Sequence, residues 1–256
     1  MTIHVEKQNG VAIVTLDRAA TKNAITYDMR RLLWEAFEDI ALDADIRSVI
    51  LTGANGDFCS GMDVGGMGRG GVVGSMDRMH TLNRIARSIY NLKKPTIAAV
   101  PGICVGVGWS YAMACDIVLA GDKAKFAAIF RNIALAPDGG MVWQLRQLAG
   151  TQKAKEIVYS GRIIRADEAV ELGLAFEKVE QESLMDRAME LAKSFAEGPT
   201  IAMGLAKRQF DLAWNNSFDQ YLDMEATMQP IASRTEDHEE GLKAFREKRP
   251  PRFKGE

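Results

Sequence analysis

The chain has 256 residues, of which 47% are apolar and 26% charged, and a formal net charge of −2. At about 150 residues per domain this is one large domain or a domain with an appendage, and the charge balance excludes the basic profile of a nucleic-acid binder or a membrane-surface protein. The three cysteines, Cys59, Cys104 and Cys115, form no C-x-x-C pair and read as reduced thiols of a cytoplasmic protein. Together with the three histidines they lack metal-ligand spacing, so no metal is expected.

The N-terminus alternates like a strand and has neither signal-peptide nor transit-peptide character. Ile3 to Lys7 and Val11 to Leu16 flank Asn9-Gly10, the dipeptide favoured in a type I′ hairpin turn. Thr26 is placed to cap a helix whose apolar positions Met29, Leu32, Leu33, Ala36, Phe37 and Ile40 recur at helical spacing. Ser48 to Thr52 is a short buried strand.

Residues 54–75 are rich in glycine and predict a long loop, which in a compact domain is usually functional or disordered. Gly65 to Gly71 reads as a mobile wall of a pocket, with Met67, Met76 and Met79 as a pliable lining. A helix is predicted from about Ser75 to Leu92. Lys94 to Val100 is a strand, Pro101 to Ser110 a glycine-punctuated turn opening a helix, and Cys115 to Ala120 another strand. Helices follow over Gly139–Ala149 and Thr151–Ser160, then a turn and a short helix to Leu172, and a last strand over Ala175–Val179. From Glu182 to Lys248 the pattern is helical, with breaks at Gly198-Pro199, Asn215-Asn216 and Gln229-Pro230. The alternation of strands and helices gives an α/β fold. The change to an all-helical pattern divides residues 1–197 from residues 198–256.

Three stretches carry possible chemistry. Gly106-Val107-Gly108 is not a dinucleotide fingerprint, because Tyr111 stands where G-x-G-x-x-G needs its third glycine. Gly108 to Ala112 nearly matches the G-x-S-x-G nucleophile elbow, and Ser110 precedes His238 as a hydrolase triad requires. An elbow serine follows directly on a strand, however, and Ser110 lies ten residues beyond Val100. Asp138, in Pro137-Asp138-Gly139-Gly140, is either a turn residue or a catalytic acid.

Lys22-Asn23-Ala24, Phe58 to Asp63, Pro95 to Gly108, Cys115-Asp116-Ile117, Pro137 to Gly140, Ala169 to Gly173 and the tail Phe245 to Lys254 together resemble the crotonase, or enoyl-CoA hydratase/isomerase, family. The resemblance spans nearly the whole chain in order. It implies a crotonase-type spiral of repeated ββα units, a helical C-terminal region that builds trimers or hexamers, and an acyl-CoA thioester substrate of fatty-acid or aromatic-acid metabolism. No other cofactor and no nucleic-acid or membrane partner is implied.

By position, the resemblance implies that the backbone N–H groups of Met62 and Val107 grip the thioester oxygen, and preorganised donors of this kind stabilise the charge that develops as an enolate forms. It also implies contacts to CoA or the acyl group from Lys22, Ala24, Ser60, Met62, Asp63, Val64, Gly106, Phe130, Phe253 and Lys254. The tail residues would reach a neighbouring subunit's CoA, or fray.

The hydratases of the family use two glutamates, and the matching positions hold Ser110 and Phe130. Hydration needs a base for the water and an acid for the α-carbon, which neither residue supplies. Asp138 matches an aspartate of members that shift double bonds, and of an aryl-CoA dehalogenase whose helix histidine corresponds to Asn83, with His80 one turn earlier. A single carboxylate suffices to move a proton between two carbons, so double-bond isomerisation is the expected reaction. If Phe130, Ile133 and Leu135 line its pocket, desolvation raises its pKa. Hydration or hydrolysis within the family stand as alternatives, with a serine hydrolase through Ser110 and a non-catalytic acyl-CoA binder outside it.

Overall fold

The computed structural model describes residues 2–66 and 71–256. The predicted hairpin forms from β1 (Ile3–Gln8) and β2 (Val11–Leu16), with Asn9 and Gly10 both at positive φ in its turn. Helix α1 (Tyr27–Leu42) starts where Thr26 Oγ1 accepts the Met29 N–H. It is followed by β3 (Ser48–Gly53), α2 (Gly71–Tyr90), β4 (Thr96–Val100), β5 (Ile103–Val105), α3 (Val107–Ala114), β6 (Ile117–Gly121) and β7 (Lys125–Ala127). A 3-10 turn over Ile129–Ile133 leads to α4 (Met141–Ala149), α5 (Thr151–Ser160), β8 (Ile164–Arg165), α6 (Ala166–Glu171) and β9 (Glu177–Val179). Helices α7 (Leu184–Ala196), α8 (Thr200–Asn215), α9 (Phe218–Ala232) and α10 (Glu236–Glu247) complete the chain.

Two sheets result. The larger has the order β1-β2-β3-β4-β6-β9 and is parallel except for the β1–β2 pair; the smaller has the order β5-β7-β8. The chain climbs as a spiral, since β4 and β6 each join the large sheet and the short strand that follows joins the small one. Single bridges Cys59↔Cys104 and Ile25↔Met62 carry the small layer towards the N-terminal turn of the spiral.

Strand alternation builds two cores on the large sheet. Ala12, Val14, Val49, Leu51, Ala98 and Val100 face the helices of the spiral. Val11, Ile13, Ile50, Ile97, Ala99 and Leu119 face α7, whose Ala188, Ala192 and Ala196 recur every fourth residue and let the helix lie close to the strands. Helices α8 and α9 pack on each other and leave Phe210, Trp214 and Phe218 exposed.

Some boundaries differ from the sequence expectation. Helix α2 begins at Gly71 rather than near Ser75, with Ser75 Oγ donating back to the Gly71 carbonyl at 2.9 Å. Pro101 to Ser110 is not one turn, because Ile103–Val105 pairs with β7 from further along the chain. Gln229-Pro230 does not break α9: a proline in the last turn removes only one hydrogen bond, and the helix runs on to Ala232. The C-terminal tail does not fray. Arg47 Nη1 donates to the Phe253 carbonyl at 2.9 Å, and Asp237 Oδ1 and Oδ2 accept the Lys254 and Gly255 N–H groups at 2.6 and 2.9 Å.

Candidate active site

Two backbone segments meet at the C-terminal ends of β3 and β4. The Ile25 N–H donates to the Gly61 carbonyl at 2.8 Å, and the Asp63 N–H donates to the Ile25 carbonyl at 3.0 Å. Met62, between these two bonds, therefore turns its own N–H to the opposite side. That side holds the glycine turn before α3. A Cβ on Gly61 would stand 3.3 Å from the Val105 carbonyl oxygen and 3.9 Å from Gly106 Cα, and both glycines have positive φ, +97° and +56°. The close approach brings the two backbone segments together at these glycines, and Met62 and Val107 are the residues that follow them. Val107 is the first residue of α3, so its N–H has no acceptor within the helix and lies at the positive end of the helix dipole.

The Pro137–Gly140 turn comes against the same helix. A Cβ on Gly139 would lie 2.8 Å from Ser110 Cβ and 3.3 Å from Val107 Cγ2. Ser110 is fully buried and its Oγ donates to the Asp138 carbonyl at 2.9 Å. The turn thus lies against Ser110 and Val107 and brings Asp138 to this end of α3.

Asp138 is no surface turn residue. Its Oδ1 is buried without a hydrogen-bond partner among the described residues. Burial raises its carboxyl from the ordinary 3.8 to about 6, and the positive charge of Arg30 opposes part of that rise. No second carboxylate acts on it among the described residues. A carboxyl in this state is mostly ionised at neutral pH, weakly solvated, and suited to taking a proton from carbon and giving it back.

Two further groups complete the surroundings and were not found in the sequence. Tyr111 is fully buried on α3, with its hydroxyl donating to the Leu82 carbonyl at 3.4 Å, and burial together with Asp138 pushes its phenol well above its ordinary range. Arg30 is buried on α1, its Nη1 3.4 Å from both the Arg78 carbonyl and Thr81 Oγ1 on α2. The available signal was a charge inside an apolar stripe, since Arg30 stands between Met29 and Leu33 on the face that α1 buries.

The other expected residues lie in several separate places. Near the Met62 segment, Ser60 N–H donates to the Lys22 carbonyl and Ser60 Oγ to the Thr21 carbonyl, at 2.9 and 2.7 Å. Asp63 pairs with Arg18 and accepts the Gly65 N–H at 2.8 Å, and these bonds hold its carboxyl below the usual range. Ala24 is buried, while Lys22 and Val64 are exposed. Asn23 ties this turn down by donating to the Ala54 and Asp57 carbonyls at 2.9 and 2.7 Å.

Phe130 is buried, but Ile133 and Leu135 are about half exposed, 52% and 49%, so they do not enclose Asp138 as expected. His80 is exposed and Asn83 half-buried, both along a shallow cleft with Met76 and Met79. Residues 67–70, and with them Met67 and most of the expected glycine wall, lie outside the described residues. Phe253 and Lys254 dock beside Arg47, which precedes β3, at the far end of the parallel strands from Asp138. His238 is exposed in the first turn of α10 and Ser110 is sealed in the core, so the structure brings no Ser–His pair together.

All three cysteines are unpaired and buried. Among the described residues no three His, Cys, Asp or Glu side chains gather as a metal would require, and no helix is long and apolar enough to cross a membrane.

A family model for enoyl-CoA hydratase/isomerase matches residues 6–256. The chain is 37% identical over 258 residues to the 1,2-epoxyphenylacetyl-CoA isomerase of Escherichia coli (strain K12), covering 98% of this chain and 97% of the relative. It is 32% identical over 261 residues to the mitochondrial methylglutaconyl-CoA hydratase of Mus musculus, covering 99% and 82% respectively. Its backbone matches the crystal structure of an enoyl-CoA hydratase from Bacillus anthracis with a TM-score of 0.95, at 31% identity and over 100% of both chains. With whole-chain matches in family, sequence and backbone, the chain belongs to the enoyl-CoA hydratase/isomerase, or crotonase, family.

Proposed function

We propose that this protein is an acyl-CoA double-bond isomerase with Asp138 as its proton shuttle. The observation that carries the reading is a lone, desolvated carboxyl beside the glycine turn, held near a pKa of about 6 with no second carboxylate acting on it among the described residues. Ionised Asp138 removes a proton from the acyl chain next to the double bond. The electron pair of that C–H bond moves through the chain to the thioester oxygen, where the Met62 and Val107 N–H groups stabilise the charge. When the pair returns, the proton held by Asp138 is delivered to a different carbon. Nothing is added and nothing leaves.

Hydration would need a second acid–base group, and Ser110 and Phe130 supply none. Relatives carry both isomerase and hydratase names, and the activity named for the Escherichia coli relative puts ring-epoxide thioesters among the substrates to try. We further propose residues 1–197 as the catalytic spiral and residues 198–256 as the region of trimer or hexamer contact, consistent with the exposed Phe210, Trp214, Phe218 and Phe245. In such an assembly Phe253 and Lys254 serve a neighbour's CoA. CoA enters only as part of the substrate, no other cofactor is used, and the working compartment is the cytoplasm.

The test is incubation with 2-enoyl-, 3-enoyl- and aryl-acetyl-CoA thioesters in deuterated water, followed by mass spectrometry. A moved double bond with deuterium gain and no added oxygen is the expected product. Uptake of one water makes the protein a hydratase, and release of free CoA makes it a hydrolase; either result refutes the proposal.

A further inference from the structure

The turn that carries Asp138 is built on pliable backbone. Gly139 and Gly140 follow the acid with φ of +61° and +87°, and α4 starts at the next residue. With no Cβ on either glycine, the turn itself leaves the placement of Asp138 relative to α4 open to many arrangements. Contacts from outside the turn must set it.

Those contacts converge on one residue of α3. Before the glycines, the Asp138 carbonyl accepts the Ser110 hydroxyl at 2.9 Å and the Met141 N–H at 3.2 Å. After them, Gln144 lies in the first turns of α4, is 6% exposed, and donates its backbone N–H to the Gly140 carbonyl at 3.1 Å. Its side-chain nitrogen donates to the Ser110 carbonyl and its side-chain oxygen accepts the Ala114 N–H, both at 3.2 Å. The reverse orientation of the amide would set oxygen against oxygen and NH2 against N–H, so the surrounding groups dictate this one. Ser110 therefore holds the chain on both sides of the glycine pair, by its hydroxyl at Asp138 and by its carbonyl through Gln144. Met141 and Leu145, the buried neighbours of Gln144 on α4, show that an apolar side chain would fill this place. It would not tie α4 to α3.

We infer that Gln144 is a positioning residue, which with Ser110 clamps the Gly139-Gly140 turn against α3 and so fixes where Asp138 stands relative to the Val107 N–H. Val107 and Ser110 lie one turn apart on α3, and Gly139 packs against both of their side chains. The one helix is thus a common base for the oxyanion donor and for the acid. Moving a proton between two carbons requires that separation to be held closely, and a displacement of about 1 Å from a change remote from the chemistry costs as much as a hundredfold in rate. The inference rests on the reading of Asp138 as the proton shuttle and of Val107 as an oxyanion donor.

The test measures isomerase kinetics on the full chain and on Gln144→Met, Gln144→Ala, Ser110→Ala and the Ser110→Ala/Gln144→Met double variant. Affinity for pentanoyl-CoA, a saturated thioester that binds without reacting, is measured on each by calorimetry. Gln144→Met keeps the bulk of the side chain and removes both of its hydrogen bonds, and kcat should fall about tenfold while KM and the pentanoyl-CoA affinity stay within about threefold. Gln144→Ala leaves room for a water to meet the Ser110 carbonyl and the Ala114 N–H while still cutting the tie to α4, so it answers the same question should the Met variant fail to fold. The double variant should lose less than the product of the two single losses, because the two bonds act as one clamp. Unchanged kcat in the folded Gln144 variants, a loss of kcat matched by an equal loss of pentanoyl-CoA affinity, or single losses that multiply in the double variant overturns the inference while leaving the Asp138 shuttle intact. An unaltered protein that isomerises none of the thioesters refutes the shuttle reading itself, and this inference with it.

Discussion

Replacing Asp138 by asparagine should stabilise the protein, and the gain should depend on pH. A carboxyl that titrates near 3.8 when solvated and at about 6 in the folded chain is disfavoured as an anion by about 3 kcal/mol, at about 1.36 kcal/mol per pH unit. Between those two values the folded protein holds a proton that the unfolded chain has released. Stability therefore falls as pH rises from about 4 to about 6, and the penalty is complete above that. The amide of the variant does not titrate, so whatever else the substitution gains or loses is the same at every pH. The stability difference between Asp138→Asn and the unaltered protein should widen in the variant's favour by about 2 kcal/mol between about pH 4.5 and about pH 7.5, the share of the roughly 3 kcal/mol that falls in that range. Urea unfolding at matched protein concentration measures it, concentration being held fixed because an oligomer's stability depends on it. A difference that stays constant to within about 0.5 kcal/mol across that range would show that the Asp138 carboxyl is solvated, and the argument for a desolvated base would fall. The same variant should lose isomerase activity, the usual relation between a strained functional group and stability.

Isomerase kcat/KM should rise with pH through about 6 and level off above it, since only ionised Asp138 accepts a proton; an Arg30→Met change should move that midpoint upward, because the guanidinium favours the anion. Ser110→Ala removes the 2.9 Å bond to the Asp138 carbonyl and should cost about 1 kcal/mol of stability with a several-fold loss of kcat, whereas His238→Ala should leave activity unchanged; inactivation by both would restore the serine-hydrolase reading. Arg47→Ala removes the hydrogen bonds to Thr200 Oγ1 and to the Phe253 carbonyl, both 2.9 Å, and should cost about 2–3 kcal/mol and open the last residues to carboxypeptidase digestion. A tail that stays resistant would mean other contacts hold it.

The large sheet and its helices were legible because their signals are local and periodic. Asn9-Gly10 marks a turn that needs two positive φ values, Thr26 caps α1, and the stripe from Met29 to Ile40 is buried as its spacing requires. The short strands of the small sheet were not legible, since Ile103–Val105 and Lys125–Ala127 are each three residues long and exist only because they pair with each other. Pro230 looked like a helix break because sequence alone does not say how much helix remains to lose.

The candidate site divides along the same line. Sequence by itself determined the family, the glycine turn, Asp138 and the missing glutamates, because each is a matter of which residue stands at a given place along the chain. Only the tertiary structure decided that Ser110 holds the Asp138 turn, that Asp138 is desolvated, that the C-terminal tail is pinned at the far end of the strands, and that a cation on α1 is buried. Burial, distance and charge are properties of segments that lie far apart in the chain, and folding alone brings them together.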